Sequence, residues 1–188
     1  MISHTVQRNH TDASKDRAAL LRSRAHDFCR SLISPPPPRE LLKEFFTSDN
    51  PSIKEHGPSW ATSHLHFLGR EFMGVDGCVE YFELLSQSLR MHLDEDSFPG
   101  KDALAVDADT GKVSVMGKGK FESVATGRSW DEKFTYVLSN WDEDGRIGKW
   151  DIWADPLSAW AAVAEHDVDN WKKGEHRSLV SISQHFRE

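Results

Sequence analysis

The stretch Lys112-Val113-Ser114-Val115-Met116-Gly117-Lys118-Gly119-Lys120-Phe121-Glu122-Ser123-Val124 decides the fold. Val113, Val115, Gly117, Gly119 and Phe121 share one face, while Lys112, Ser114, Lys118, Lys120 and Glu122 share the other. A period of two belongs to a half-buried β-strand, so the first face is expected to look inward. Two glycines on that face remove side-chain volume and soften the strand, which permits strong curvature or close approach of a ligand. A curved sheet has a concave side, and a concavity is the usual place for a ligand.

Turn signals flank this strand on both sides. Asp109-Thr110-Gly111 precedes it, Thr126-Gly127-Arg128 follows it, and Asp142-Glu143-Asp144-Gly145 lies beyond. With β-rich runs between them they predict antiparallel hairpins, with strands at 91–98, 103–108, 112–124, 129–142 and 147–155. The first half of the chain follows a different period. Ala18, Leu21, Ala25, Phe28 and Leu32 recur at three- and four-residue steps, which predicts a helix over 13–33. The prolines at 35–38 must end it, and Pro38 is well placed to open a second helix over 39–46. Residues 52–56 read as a short strand closed by Gly57-Pro58. Gly74 and Gly77 bracket the start of a third helix carrying Val79, Phe82, Leu85 and Leu89, and Pro156 opens a last one over 157–164. Helices first and a strand meander afterwards is an α+β order, not the alternation of a parallel sheet.

At 188 residues the chain fits one domain with tails. The expected division is a flexible arm at 1–12, the domain at 13–164 and an extension at 165–188. Seven Trp and ten Phe in a polar chain favour a folded core over disorder. A formal charge of −7 repels phosphate backbones, so a nucleic-acid partner is not expected. No apolar run approaches the ~20 residues of a membrane helix, so no membrane partner is expected either. The first sixteen residues lack the apolar centre of a secretory signal, and the expected compartment is the cytoplasm. Cys29 and Cys78 are too few for a disulfide framework or thiolate cage and are read as two buried thiols.

Three stretches together resemble the nuclear-transport-factor-2-like superfamily, and within it the SnoaL-like polyketide cyclases and related small-molecule isomerases and dehydratases. The first runs from Leu41-Leu42-Lys43-Glu44-Phe45-Phe46 to Glu55-His56-Gly57-Pro58. The second is Phe67-Leu68-Gly69-Arg70 with Gly74-Val75-Asp76-Gly77 and then Tyr81-Phe82. The third joins Thr126-Gly127-Arg128-Ser129-Trp130, Asp144-Gly145-Arg146-Ile147 and Trp150-Asp151-Ile152-Trp153-Ala154-Asp155-Pro156. The resemblance implies a cone: three or more helices on a strongly curved antiparallel sheet that encloses a pocket. It also implies a homodimer formed through the outer face of that sheet.

The resemblance further implies a cofactor-free enzyme that moves protons on an apolar oxygenated metabolite, such as a polyketide or terpenoid intermediate. A non-catalytic binder of a hydrophobic ligand, or a dimeric interaction protein of the same fold, is the alternative. Relatives carry a pocket-facing acid, amide or histidine on the strand before the proline, which points to His56 as the catalytic residue. Imidazole both accepts and returns a proton near neutrality. Glu55 takes its place if the register slips by one. An acid toward the end of the sheet is also implied, with Asp151 and Asp155 nearest, although spacing from Ile147 sets both opposite Trp150 and Ile152. The arginine and acids of epoxide hydrolases of this fold are missing, because Gly117, Gly119 and Ile152 stand at those positions. Val137 stands where steroid isomerases place an acid.

Tyr136 could polarise a carbonyl, yet it alternates with Trp130, Phe134 and Leu138. That stripe is expected to pack the outer face of the sheet. The rings Trp60, Phe67, Phe72, Tyr81 and Trp150, with Thr135, Val137 and Ile152, are the candidate pocket wall or its adjoining core. His64 and His66 with His56 imitate a three-histidine site, but no recognisable ligand spacing supports them, and no metal or cofactor is expected.

Overall fold

The computed structural model describes residues 3–164, with side chains from residue 13; the C-terminal extension read at 165–188 lies outside the described residues. Helix α1 (Ser3–Ser31) is helical already in the stretch read as an arm. Its inner face is the expected stripe: Leu21, Ala25, Phe28 and Leu32 are buried. Among the described residues, four arginines of α1 reach main-chain oxygens of neighbouring loops and of the segment 38–45. Arg17 donates to Asp142 O at 2.7 Å, Arg22 to Leu104 O at 2.7 Å, Arg24 to Glu44 O at 2.7 Å and Arg30 to Glu95 O at 3.1 Å. Helix α2 (Pro38–Phe45) starts on Pro38 and buries Leu41, Leu42 and Phe45. Helix α3 (Gly74–Ser88) buries Cys78, Tyr81 and Leu85, and α4 (Pro156–Val163) closes the described chain.

Among the described residues seven strands form one sheet: β1 (Ser52–His56), β2 (Glu71–Met73), β3 (Leu89–His92), β4 (Ala105–Asp107), β5 (Lys112–Ser123), β6 (Ser129–Ser139) and β7 (Lys149–Trp153). Their order is β2-β1-β7-β6-β5-β3, with β4 pairing the other end of β5. All neighbours are antiparallel except β1 and β7, which run parallel. The α+β cone is as expected; the parallel pair is not, because it joins segments that no hairpin links. Strand β2 was also unseen in the sequence, being three residues long. Strand β3 stops short of the expected 91–98, since the Ser97 hydroxyl accepts the Asp94 N–H at 2.8 Å and turns the chain. Strand β6 ends before Asn140, which takes a left-handed φ of 54°.

The facing of β5 is as its alternation predicts, with Val113, Val115 and Phe121 buried. The stripe on β6 corrects an expectation. Phe134 lies opposite Gly117, Tyr136 opposite Val115 and Trp130 opposite Phe121. Directly opposed residues share a face, so the Trp130–Phe134–Tyr136–Leu138 stripe looks into the cone. A Cβ on Gly117 would stand 2.2 Å from Cε2 of Phe134, so this glycine is what lets the Phe134 ring lie across the strand. Phe28, Phe46 and Trp150 join helices to sheet, with the Phe28 and Trp150 rings 5.1 Å apart and edge-on. Cys29 and Cys78 are separate buried thiols, each pushed up to about 12 by burial. Among the described residues, no helix is long and apolar enough to cross a membrane.

Candidate active site

Strand β1 lies between β2 and β7, so its side chains point alternately into the cone and out of it. Ile53 and Glu55 point inward, opposite Trp150 and Ile152 of β7; His56 points outward beside Trp153. Glu55 therefore holds the pocket position first expected for His56. It is buried, and its Oε2 accepts the Tyr81 hydroxyl at 2.7 Å. Burial pushes its pKa from the usual carboxylate range up to about 7, with the Tyr81 hydrogen bond pulling down and the charge of Glu132 adding to the rise. The Tyr81 phenol is held well above its ordinary value, chiefly by burial and then by the charge of Glu55.

Glu55 opens onto a narrow cavity of about 40 Å³ between α3 and the sheet, whose wall includes Tyr81, Glu132, Tyr136, Trp150 and Ile152. Three of these, Tyr81, Trp150 and Ile152, were expected on the wall. Tyr136 sits here too, its ring 4.9 Å from that of Trp150, and burial holds its phenol well above the ordinary range. The Trp150 indole N–H is buried and has no hydrogen-bond partner among the described residues. A buried donor left unpaired costs about 1–3 kcal/mol, which an acceptor on a ligand would recover.

Glu132 was missed in the sequence. It accepts the Trp130 indole N–H at 2.7 Å, and its pKa is raised, mainly by burial and further by the charge of Asp155. An acid in step with Trp130, Phe134 and Tyr136 was the available signal once that stripe faces inward.

The remaining expected wall residues fall elsewhere. Phe67 and Phe72 are buried behind Tyr81, with rings 6.2 and 5.5 Å from it, and belong to the core. Trp60 is 57% exposed and lies edge-on to Trp160. Thr135 and Val137 pair with Trp153 and Asp151 on the outer face. Asp155 touches the rim of the cavity but is occupied as the cap of α4, accepting from Leu157 N at 3.0 Å and Ser158 N at 3.2 Å. The Ser158 hydroxyl, at 2.6 Å, is the main reason its carboxyl is held below the usual range.

His56 and Asp151 make a separate outer cluster. His56 Nε2 lies 2.8 Å from Asp151 Oδ1, and the imidazole stacks on Trp153 at 4.1 Å. Lys149 Nζ approaches the other Asp151 oxygen at 3.4 Å and Glu71 at 3.6 Å. The three histidines do not converge: His64 packs against Trp160 and His66 bonds the Thr62 carbonyl at 2.9 Å. Among the described residues no group of three or more metal-ligating side chains forms.

No family model matches the chain, and no curated protein does. Solved structures do. An NTF2-like protein of unknown function from Burkholderia pseudomallei is 16% identical, with a TM-score of 0.58 over 77% of this chain and 97% of that one. A protein from Bacillus subtilis bearing the provisional name of isomerase is 14% identical, with a TM-score of 0.58 over 80% and 95%. One from Jannaschia, provisionally named a SnoaL-like polyketide cyclase, is 12% identical, with a TM-score of 0.54 over 76% and 92%. The chain thus has the nuclear-transport-factor-2-like fold. At these identities the likeness establishes the fold and leaves the chemistry to the cavity.

Proposed function

We propose that the protein is a cofactor-free enzyme that moves a proton on a small, apolar, oxygenated molecule of the polyketide or terpenoid kind. The reaction class is cyclisation, isomerisation or dehydration. One observation carries this reading: a buried carboxyl on an aromatic cavity wall, brought to about pH 7 where it both takes and gives a proton. The provisional names of two of the similar structures, isomerase and polyketide cyclase, point the same way.

In this mechanism the ionised Glu55 removes a proton from the carbon beside a substrate carbonyl, and the electron pair moves onto the carbonyl oxygen. The Tyr81 hydroxyl is committed to Oε2, which leaves Oε1 for the substrate. The unpartnered Trp150 N–H and the Tyr136 hydroxyl are the donors for the developing oxyanion. Glu55, now protonated, returns the proton at a second carbon or to a leaving hydroxyl. Pairing of two copies through the outer face of the sheet, where Trp153 and Met116 are exposed, is part of the same proposal.

Deuterium uptake beside the carbonyl of hexanone in heavy water, followed by proton NMR, tests the role of Glu55. Native protein is expected to accelerate uptake over buffer, and Glu55→Gln to lose about a hundredfold or more of that acceleration. Equal uptake by the two proteins would remove Glu55 from the chemistry and leave the ligand-binder alternative.

A further inference from the structure

A cavity of about 40 Å³ holds a few atoms, whereas ligand sites generally run to about 300–1,000 Å³. Only the reacting end of a metabolite fits beside Glu55. The rest has to lie elsewhere, and a second concavity adjoins the first. An open groove of about 790 Å³ runs between the proline run and the outer side of α3. It shares Leu32, Phe82, Leu85, Leu89 and Met91 with the cavity, so one wall of five apolar side chains separates the two spaces.

The groove has its own chemistry. Pro35, Pro36, Pro37 and Pro38 supply a stiff wall without a single backbone N–H, and Ile33 and Val79 add apolar surface. Its cations are already engaged: Arg39 pairs with Asp76 at 2.7 Å and Arg90 with Glu122 at 2.6 Å. An anionic headgroup finds no free partner in these two arginines, and a hydroxylated chain finds few bonding groups along the prolines.

We infer that this groove binds the uncharged apolar chain of the substrate, whose oxygenated end passes the Leu32–Leu85–Leu89 wall to reach Glu55. The inference rests on the proposed function for what lies at the inner end, but not for the groove itself. The substrate is then a slender amphiphile: one carbonyl end and a hydrocarbon body that stays outside the cone.

A homologous series of straight-chain methyl ketones, hexanone to dodecanone, tests this through quenching of tryptophan fluorescence. Affinity for native protein is expected to rise about fourfold per methylene as the chain fills the groove. Ser86, exposed on α3 and lining the groove, is the place for a plug. Ser86→Trp should weaken dodecanone about tenfold or more and leave hexanone unchanged, while Gln87→Trp, one residue away and off the groove, should change neither. Circular dichroism of the variants confirms folding. A flat series overturns the inference, and so does a slope that survives Ser86→Trp, whether the chain then lies elsewhere or another segment covers the groove. The slope persists in Glu55→Gln, so the two claims separate. A slope without deuterium uptake sinks the enzyme reading alone, and uptake with a flat slope sinks the groove alone.

Discussion

Glu55 binds a proton more tightly in the folded chain than in the unfolded one, because burial lifts its pKa from 4.5 to about 7. Between those values the native state holds more protons, so this residue's contribution to stability falls as pH rises through the window and is level above it. The full penalty is on the order of 3 kcal/mol at alkaline pH. Glu55→Gln cannot ionise and escapes it. Urea unfolding at pH 5 and pH 8 should show native protein losing more stability over that interval than Glu55→Gln; equal losses would mean that Glu55 titrates normally. The sequence located the strand and set His56 toward the pocket, with Glu55 in its place if the register slips by one; in the structure Glu55 faces the cavity and His56 faces outward. Counting back from Pro58 reached His56, whereas counting from Ile53, an apolar residue that must face inward, reaches Glu55 two positions on. Alternation within a strand is a stronger guide to facing than distance from a turn.

At the scale of elements, the contact between β5 and β6 is the most exposed to a small change. Gly117→Ala would bring a methyl to within 2.2 Å of the Phe134 ring, and Phe134 is part of the cavity wall. The expected cost is about 1–3 kcal/mol in denaturant unfolding. Adding Phe134→Leu to Gly117→Ala should recover part of it, because the two changes share one space. A cost that is unchanged in the double variant would put the strain elsewhere in the strand. Helices α1 and α2 were legible because their apolar spacing and their prolines agree, and β5 because its alternation runs through twelve residues. Strand β2 has too few residues to show a period. The inward facing of β6 could not be read from β6 alone, since its register against β5 fixes which side is dry.

Taken whole, the molecule is a half-open cone with helices against its concave side and a mixed outer surface. On that surface Trp153 is 45% and Met116 66% exposed, with half-buried Thr135 between them and half-buried Val137 next to it along β6. If two copies pair there, native protein sediments at twice the 21.4 kDa chain mass and Trp153→Glu at the single mass. A native monomer would withdraw the pairing. The cone itself was legible from the order of elements and the three family-like stretches. The closure between β1 and β7 was not, because nothing local marks a partnership between segments so far apart.

That closure has a consequence for the order in which the chain acquires its chemistry. His56 and Asp151, on the paired strands, are 95 positions apart, and during synthesis β1 must wait for β7 to emerge. Until then Glu55 lacks Ile152 and Trp150 beside it and stays in water, an ordinary carboxylate. A nascent chain interrupted before Lys149 would carry every hydrogen-bonding atom of the Glu55–Tyr81 pair and not the β7 side chains that help bury it, so the raised pKa of Glu55 arrives only with β7.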